Sequence, residues 1–466
     1  MLSNLTAGQP LRANRWCCLA LLCAWFGVHP VGAEVSKLSD YPSIQAALDA
    51  NPGRMVFLPA GDYEIAKRIV INKSGSGLYG PGRIIQTVPD EAILSLENAA
   101  DVQLRDLTLT RAEGKMESRS EGIFVHRCSD VTLENVRVLD NRSPAGAISL
   151  RECNGARVRA CRVENYTRIS VDDRTQSENY GYAFRCIDGS GIVVVDCEGT
   201  TVQNCRVVER RLLPTPAVKE EYQLGHFTKK NEQKGALVSQ QVWEAGNVDN
   251  WHQGSAIVVT GPRSSRRTQI LGNQIENAAQ GIDLHCDQVI VSNNIIHNAF
   301  IGMKAMHGSR NVLIIGNQFI KNDLWSIGLM PGAASGSSRA ADGNTPAQEP
   351  NTDGGSIIAN NIVSDFGYGN AAWIWSRTSS CNPLRFDRGQ QPDDPPLTEV
   401  IVQGNIIYDT GRDHPLIDGQ PKREPPRYQY AVRIETGGPN PPQGLHFSGN
   451  IFHPGTAGVS NVELAR

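Results

Sequence analysis

An asparagine that returns at near-regular intervals limits what this chain can fold into. Asn273, Asn294, Asn317, Asn361, Asn405 and Asn450 are separated by 21, 23, 44, 44 and 45 residues. Each closes an alternating apolar run, as in Val289-Ile-Val-Ser-Asn-Asn294 and Val312-Leu-Ile-Ile-Gly-Asn317. A second strand-like segment recurs alongside: Gly122-Ile-Phe-Val-His, Ala147-Ile-Ser-Leu-Arg, Gly191-Ile-Val-Val-Val, Gly281-Ile-Asp-Leu-His and Gly302-Met-Lys-Ala-Met. Alternation of period two marks strands, and strands recurring every 22 residues or so mark a solenoid. In such a stack each rung buries its inward side chains only against the rungs above and below. An amide at the repeated turn can then bond the equivalent amide of the next rung.

The intervals of 44 and 45 residues each hold one strand of the second kind plus a polar insertion. The expectation is therefore about ten rungs rather than a dozen or more. A leucine-rich-repeat horseshoe is the structural rival, but no Leu-x-x-Leu-x-Leu pattern recurs.

Cysteine placement follows the same period. Cys128, Cys153, Cys197 and Cys286 each trail a recurring isoleucine by four or five residues, and Cys161 and Cys205 each lie eight beyond a cysteine of that set. Such residues are expected to stack inside as small apolar groups rather than form a disulfide framework. No CxxC pair is present, which argues against structural zinc.

The N-terminus reads as an export signal over 1–33: Arg12 and Arg15, an apolar stretch from Trp16 to Val28, then Val31-Gly32-Ala33. The stretch is too short for a comfortable membrane span. The expected location is secreted or periplasmic, with 34–466 as one β-helix domain and no span after cleavage. The net charge of −3 loses two further arginines with the signal, so the surface offers no general basic face for nucleic acid. A local basic patch could still bind an acidic sugar polymer. A monomer is expected.

Ser43-Ile-Gln-Ala-Ala-Leu-Asp followed by Val56-Phe-Leu-Pro-Ala-Gly-Asp-Tyr resembles the N-terminal cap region of the pectin-lyase-like β-helix superfamily. The resemblance implies an all-β, right-handed parallel β-helix whose cap, about 40–65, includes a short helix over the first rungs. It implies little about activity, because that superfamily holds lyases, hydrolases, epimerases and non-enzymatic fibres.

Five polar insertions are expected at about 165–190, 209–253, 331–355, 377–397 and 409–429. They should emerge on both sides of one sheet and wall a trench over it. With Ile282 and Met303 inward, Asp283, His285 and Lys304 point outward, as Arg151 does on an earlier rung. Trp373 and Trp375 would flank an inward Ile374, and Arg433 and Glu435 an inward Ile434. His307 follows its strand. From Asp283 to Arg433 is four rungs, roughly 19 Å at the usual strand spacing.

Gly281-Ile-Asp-Leu-His resembles the Asp-Pro-His motif of alginate C5-epimerases, with Leu284 in place of the proline. That resemblance implies catalytic roles for Asp283 and His285. Independently, proton removal at C5 of a uronate needs a base such as His285 or a Lys. It also needs a cation such as Lys304 or Arg433 to neutralise the carboxylate and the developing enolate. The plain alternative is an Asp283–Lys304 surface ion pair worth little energetically. Trp373, Trp375, Arg151, Glu435 and His307 are the candidate substrate-binding residues, the tryptophans as stacking platforms or as ordinary packing beneath an insertion.

Three functions stay open: a lyase or epimerase acting on an acidic polysaccharide, a glycoside hydrolase using Asp283 with Asp287, and a non-catalytic carbohydrate-binding or surface protein. A hydrolase needs two carboxyls about 5 to 9.5 Å apart, and the polygalacturonase signatures are matched only by Arg433-Ile-Glu435, which ends in Glu. No cofactor and no metal cluster is legible, although Ca²⁺ held by scattered carboxylates is possible.

Overall fold

The structure, a computed structural model, describes residues 38–170, 186–210, 251–252, 254–331, 349–369, 381–389, 392, 394–408, 416–417, 420–421 and 426–465. Those residues form a right-handed parallel β-helix. Three sheets of twelve parallel strands, here A, B and C, run its length, and each rung contributes one strand to each sheet in that order. Rung 1 comprises Met55–Phe57, Asp62–Ile65 and Ile69–Ile71; rung 12 comprises Gln443–Ser448, Ile451–Phe452 and Gly458–Ser460.

The rungs number twelve, not about ten. The 44- and 45-residue intervals are single rungs as expected, since Asn317, Asn361, Asn405 and Asn450 pair in direct succession. The missed strands lie in rungs without the signature. Ile69–Ile71 and Leu94–Glu97 lack the Gly-Ile opening, and Ser255–Thr260 stands behind the longest insertion.

Inward side chains make one continuous core. In sheet C it runs through Ile148 and Leu150, Ile192 and Val194, Ile257 and Val259, Ile282 and Leu284, and on to Val432 and Ile434, all buried. At the turn between sheets A and B the asparagines form a ladder. Asn294 receives bonds from Asn273 N and Nδ2 at 2.9 Å, and itself donates to Asn317 Oδ1 from N and Nδ2 at the same distance. Asn294 Nδ2 also reaches Ile270 O. The residue before each rung's ladder position has a left-handed backbone, which is why Gly272, Gly316 and Gly404 alternate there with Asn293 and Asn360.

The cysteines join these columns. Cys205 N donates to Asn273 Oδ1 at 2.8 Å, so Cys161 and Cys205 are the N-terminal continuation of the asparagine ladder. At the turn after sheet C, Cys153 N donates to Cys197 Sγ and Cys197 N to Ser265 Oγ. Cys128, Cys153, Cys161, Cys197, Cys205, Cys286 and Cys381 are buried thiols.

The cap is helical. Helix α1 (Ile44–Ala50) starts at Ser43, whose Oγ accepts from Ala46 N, and buries Ile44, Ala47 and Leu48. Gln45 lies along the edge strand of sheet C, donating to Val70 O and accepting from Val70 N. Strand edges left open invite pairing with other chains, and this amide closes part of one.

The described parts of the first two insertions are tied to one another. Arg168–Ser170 pairs antiparallel with Cys186–Asp188, and that strand pairs with Trp251–His252, so the first two insertions share a small sheet. Among the described residues no helix is long and apolar enough to cross a membrane.

Candidate functional site

Outward residues of sheet C form two columns in register. The first reads Val258, Asp283, Lys304, Gly328, Arg385 and Arg433 over rungs 6 to 11. The second reads His126, Arg151, Val195, Thr260 and His285 over rungs 3 to 7.

The chemistry gathers at Asp283. Its strand, Gln280–His285, holds Ile282 and Leu284 inward, which turns Asp283 and His285 out. Lys304 Nζ lies 3.3 Å from Asp283 Oδ2. His285 Nε2 lies 3.0 Å from Asp283 Oδ1, although off the line of a hydrogen bond. All three are mostly shielded from water, so this is no ordinary surface pair. Burial pushes the Asp283 carboxyl up, but the charges of Lys304 and His285 outweigh it and hold the group well below the usual carboxylate range. Asp283 is therefore an anion at any ordinary pH. The other imidazole nitrogen, Nδ1, is 3.5 Å from Thr260 Oγ1. The His307 ring stands edge-on to that of His285, centroids 5.0 Å apart, so His307 joins the cluster.

Two rungs on lies a second group. Arg385 Nη2 is 3.2 Å from Glu435 Oε1, and Arg433 Nε is 3.0 Å from the same atom. Asp387 Oδ2 is 3.5 Å from Arg385 Nε. Between the two groups Gly328 leaves a floor with no side chain. A Cβ there would stand 3.2 Å from the Trp325 ring, which lies across the gap. The Arg385 guanidinium carbon is 5.6 Å from that ring's centroid, within cation–π range.

Several sequence expectations change. Arg151 points outward, but Val195 and Thr260 separate it in its column from His285. The sheet C strand of rung 10 is Asn382–Phe386, so Arg385, not a residue around Ile374, occupies the floor there. The inserted chain between sheets B and C of that rung precedes this strand, and what was expected to be a 377–397 insertion contains it. Trp373 and Trp375 lie outside the described residues. Asp287 belongs to sheet A, where it pairs with Arg310 at 2.9 Å, so Asp283 and Asp287 are not a facing pair. Trp325 and Arg385 were missed. Trp325-Ser-Ile-Gly-Leu-Met has the alternation that marks a strand, but it lacks the Gly-Ile opening and so escaped the pattern.

Two buried carboxyls flank the floor. Asp323, just before Trp325, is pushed up to about 7 by burial, against the Gly369 N–H and the Arg427 charge. Asp353, at the turn into sheet A, is likewise pushed up to about 7 by burial, although it accepts bonds from Gly308 N and Ser309 N at 2.9 Å. Among the described residues no group of three or more His, Cys, Asp or Glu is placed to hold a metal ion.

The sequence model of a family described as a right-handed β-helix region matches residues 90–213. No curated protein matches the sequence. Among solved structures, a surface adhesin of Streptococcus pneumoniae, PfbA, is similar at 11% identity and TM-score 0.53, covering 91% of this chain and 93% of its own. The A-module of a mannuronan C-5 epimerase from Azotobacter vinelandii shares 15% identity at TM-score 0.46, with 90% and 99% covered. A polygalacturonase from Erwinia carotovora shares 9% at TM-score 0.46, with 93% and 94% covered. Likeness at these identities concerns the fold.

Proposed function

We propose that the protein acts on an acidic polysaccharide laid along sheet C, taking the proton from C5 of a uronate as a lyase or an epimerase does. The observation that carries this reading is the shielded Asp283–His285–Lys304 cluster, followed along the same column by Arg385 and Arg433. A carboxylate beside one imidazole nitrogen favours the proton there and leaves the other nitrogen free to accept one. His285 Nδ1 is then the base, and Asp283 its orienting partner. Lys304 supplies positive charge where the enolate develops after the C5–H bond breaks. In a lyase the electron pair then forms a C4–C5 double bond and expels the C4 oxygen, which leaves as a hydroxyl by taking up the proton that His285 removed. In an epimerase C5 takes a proton from water on the opposite face, and His285 returns its proton to solvent. Arg385 and Arg433, four rungs of floor in all from Asp283, are suited to the carboxylates of neighbouring sugars.

Binding without turnover is the second reading. It is favoured by the fact that Asp283, Lys304, Arg385, Arg433 and Glu435 already pair within the floor, and the same fold serves a surface adhesin. The hydrolase reading has lost its Asp283–Asp287 pair.

One assay decides. The protein is incubated with alginate, polygalacturonate and neutral polymers, with and without Ca²⁺. Ultraviolet absorbance of an unsaturated uronate identifies a lyase, and altered C5 stereochemistry an epimerase. Reducing ends without that absorbance identify a hydrolase and overturn the proposal. No change in any polymer, with binding retained, leaves the binding role.

A further inference from the structure

Away from the outward face of sheet C, rungs 4 to 6 carry a ridge of arginines across the turn between sheets A and B. On sheet B, Arg137, Arg162 and Arg206 stand in direct register on three successive rungs. On sheet A, Arg157 and Arg159 are the outward residues of the rung 5 strand. Arg137, Arg157, Arg159 and Arg206 are exposed and Arg162 is half-buried.

Carboxylates balance only part of this charge. Glu164 takes both Arg162 and Arg210. Glu276 is 3.8 Å from Arg206, and Glu134 is 3.6 Å from Arg105. Among the described residues no ion pair engages Arg137, Arg157 or Arg159. Like charges directly opposite one another on neighbouring strands are destabilising, and nothing in the core requires them. Equivalent positions elsewhere in the column are Thr108 and Gln274, which serve the fold equally well.

We infer that this ridge is a second carbohydrate site, an anchoring surface for a polyuronate chain distinct from the charged column of sheet C. Arg157 and Arg159 are two residues apart on one strand and Arg137 lies on the preceding rung across the turn, so the three guanidinium groups that no described carboxylate engages are separate, outward positive charges, while Arg162 and Arg206 stay with Glu164 and Glu276. A linear polymer with one carboxylate on each sugar can meet several of them at once, and guanidinium pairs with carboxylate in a planar, two-bond fashion. Nucleic acid fits less well. Single strands bind through aromatic platforms as well as charge, whereas the strands that carry the ridge hold no aromatic residue, their other outward positions being Thr132, Glu134, Leu139, Glu164, Thr201 and Gln203. The site uses no residue of sheet C and stands or falls apart from the proton-abstraction reading.

Gel retardation of the full chain in matrices containing alginate, polygalacturonate or dextran tests it, with a short DNA duplex as competitor. The triple variant Arg137→Gln, Arg157→Gln, Arg159→Gln is expected to bind both polyuronates roughly tenfold more weakly at low salt. Dextran should retard neither protein. Lys73→Gln, which removes one exposed charge remote from both the ridge and sheet C's charged column, should keep the retardation. Unchanged retardation in the triple variant overturns the inference. So does a duplex that displaces the polyuronates at equal charge concentration, which would mark a nucleic-acid face. Should the triple variant fail to fold, arginine modification of the wild-type chain by a dicarbonyl reagent replaces it. Polyuronate is expected to protect Arg137, Arg157 and Arg159, and their modification at the rate seen without polymer is the contrary result.

Discussion

Sheet C presents two surfaces on one scaffold. In rungs 2 to 6 its first outward column reads Ser95, Phe124, Ser149, Val193 and Val258. In rungs 7 to 11 it reads Asp283, Lys304, Gly328, Arg385 and Arg433. The inward partners hardly change, from Leu94 and Leu96 at one end to Leu384 and Phe386 at the other. Because side chains alternate faces along a strand, the inward set can hold the stack while the outward set varies freely. Charge gathered without benefit to the core is what separates the second surface from the first.

The largest expected effect tests that separation. His285→Ala should lower turnover of the responsive uronate polymer by about 10²- to 10⁴-fold, the range for loss of a positioned base. His126→Ala, in the same column four rungs earlier, should change it less than about twofold. Steady-state kinetics with circular dichroism as a folding control distinguish the two, and equal effects would erase the contrast.

The asparagine ladder differs between the halves in the same way. Asn317→Ala removes the acceptor for Asn294 N and Nδ2 and the donor to Val291 O and Asn361 Oδ1. A loss of about 2 to 4 kcal/mol is expected, several buried bonds at roughly 1 kcal/mol each. Cys205→Ala at the same turn loses only a small apolar group and the weak thiol bonds to Val158 O and Gln203 O, at a cost nearer 1 kcal/mol. Chemical denaturation measures both.

A smaller effect is pH-dependent and belongs to the second surface. Asp323 has a folded value of about 7, above its ordinary value of 3.8. The folded chain therefore keeps this proton where the unfolded chain loses it, and stability falls as pH rises from about 4 through 7. Asp323→Asn should remove that component, by an amount on the order of 1 kcal/mol or more. Melting temperatures from pH 5 to 8 should converge with the wild type at the acid end and exceed it at the alkaline end. The opposite slope would show that Asp323 is ionised throughout.

The smallest change concerns the gap at Gly328. Trp325→Ala should raise KM by a few-fold, an aromatic contact being worth about 0.5 to 1.5 kcal/mol, with kcat nearly unchanged. A fall in kcat instead would place the ring in the chemistry.

Much of this is legible in the sequence alone. The recurrence of Asn273, Asn294 and Asn317, together with the Gly-Ile segments, dictates a stacked β-solenoid, because a period of that length leaves each rung able to bury its inward face only on its neighbours. Alternation about Ile282 and Met303 put Asp283, His285 and Lys304 outward together for the same local reason. Rungs that fold without the signature residues, such as those of Ile69–Ile71 and Leu94–Glu97, were not legible. Strand choice within an inserted stretch was decided by the stack as well. Trp373-Ile-Trp and Leu384-Arg-Phe386 both alternate, and only pairing with Trp325–Met330 selects the second and brings Arg385 to the floor. Burial at Asp323 and the unpaired stacking of Arg137 likewise depend on which residues a rung lays beside its neighbour. Sequence period determines that rungs stack and which face is inward, and the tertiary register alone decides which side chains meet across them.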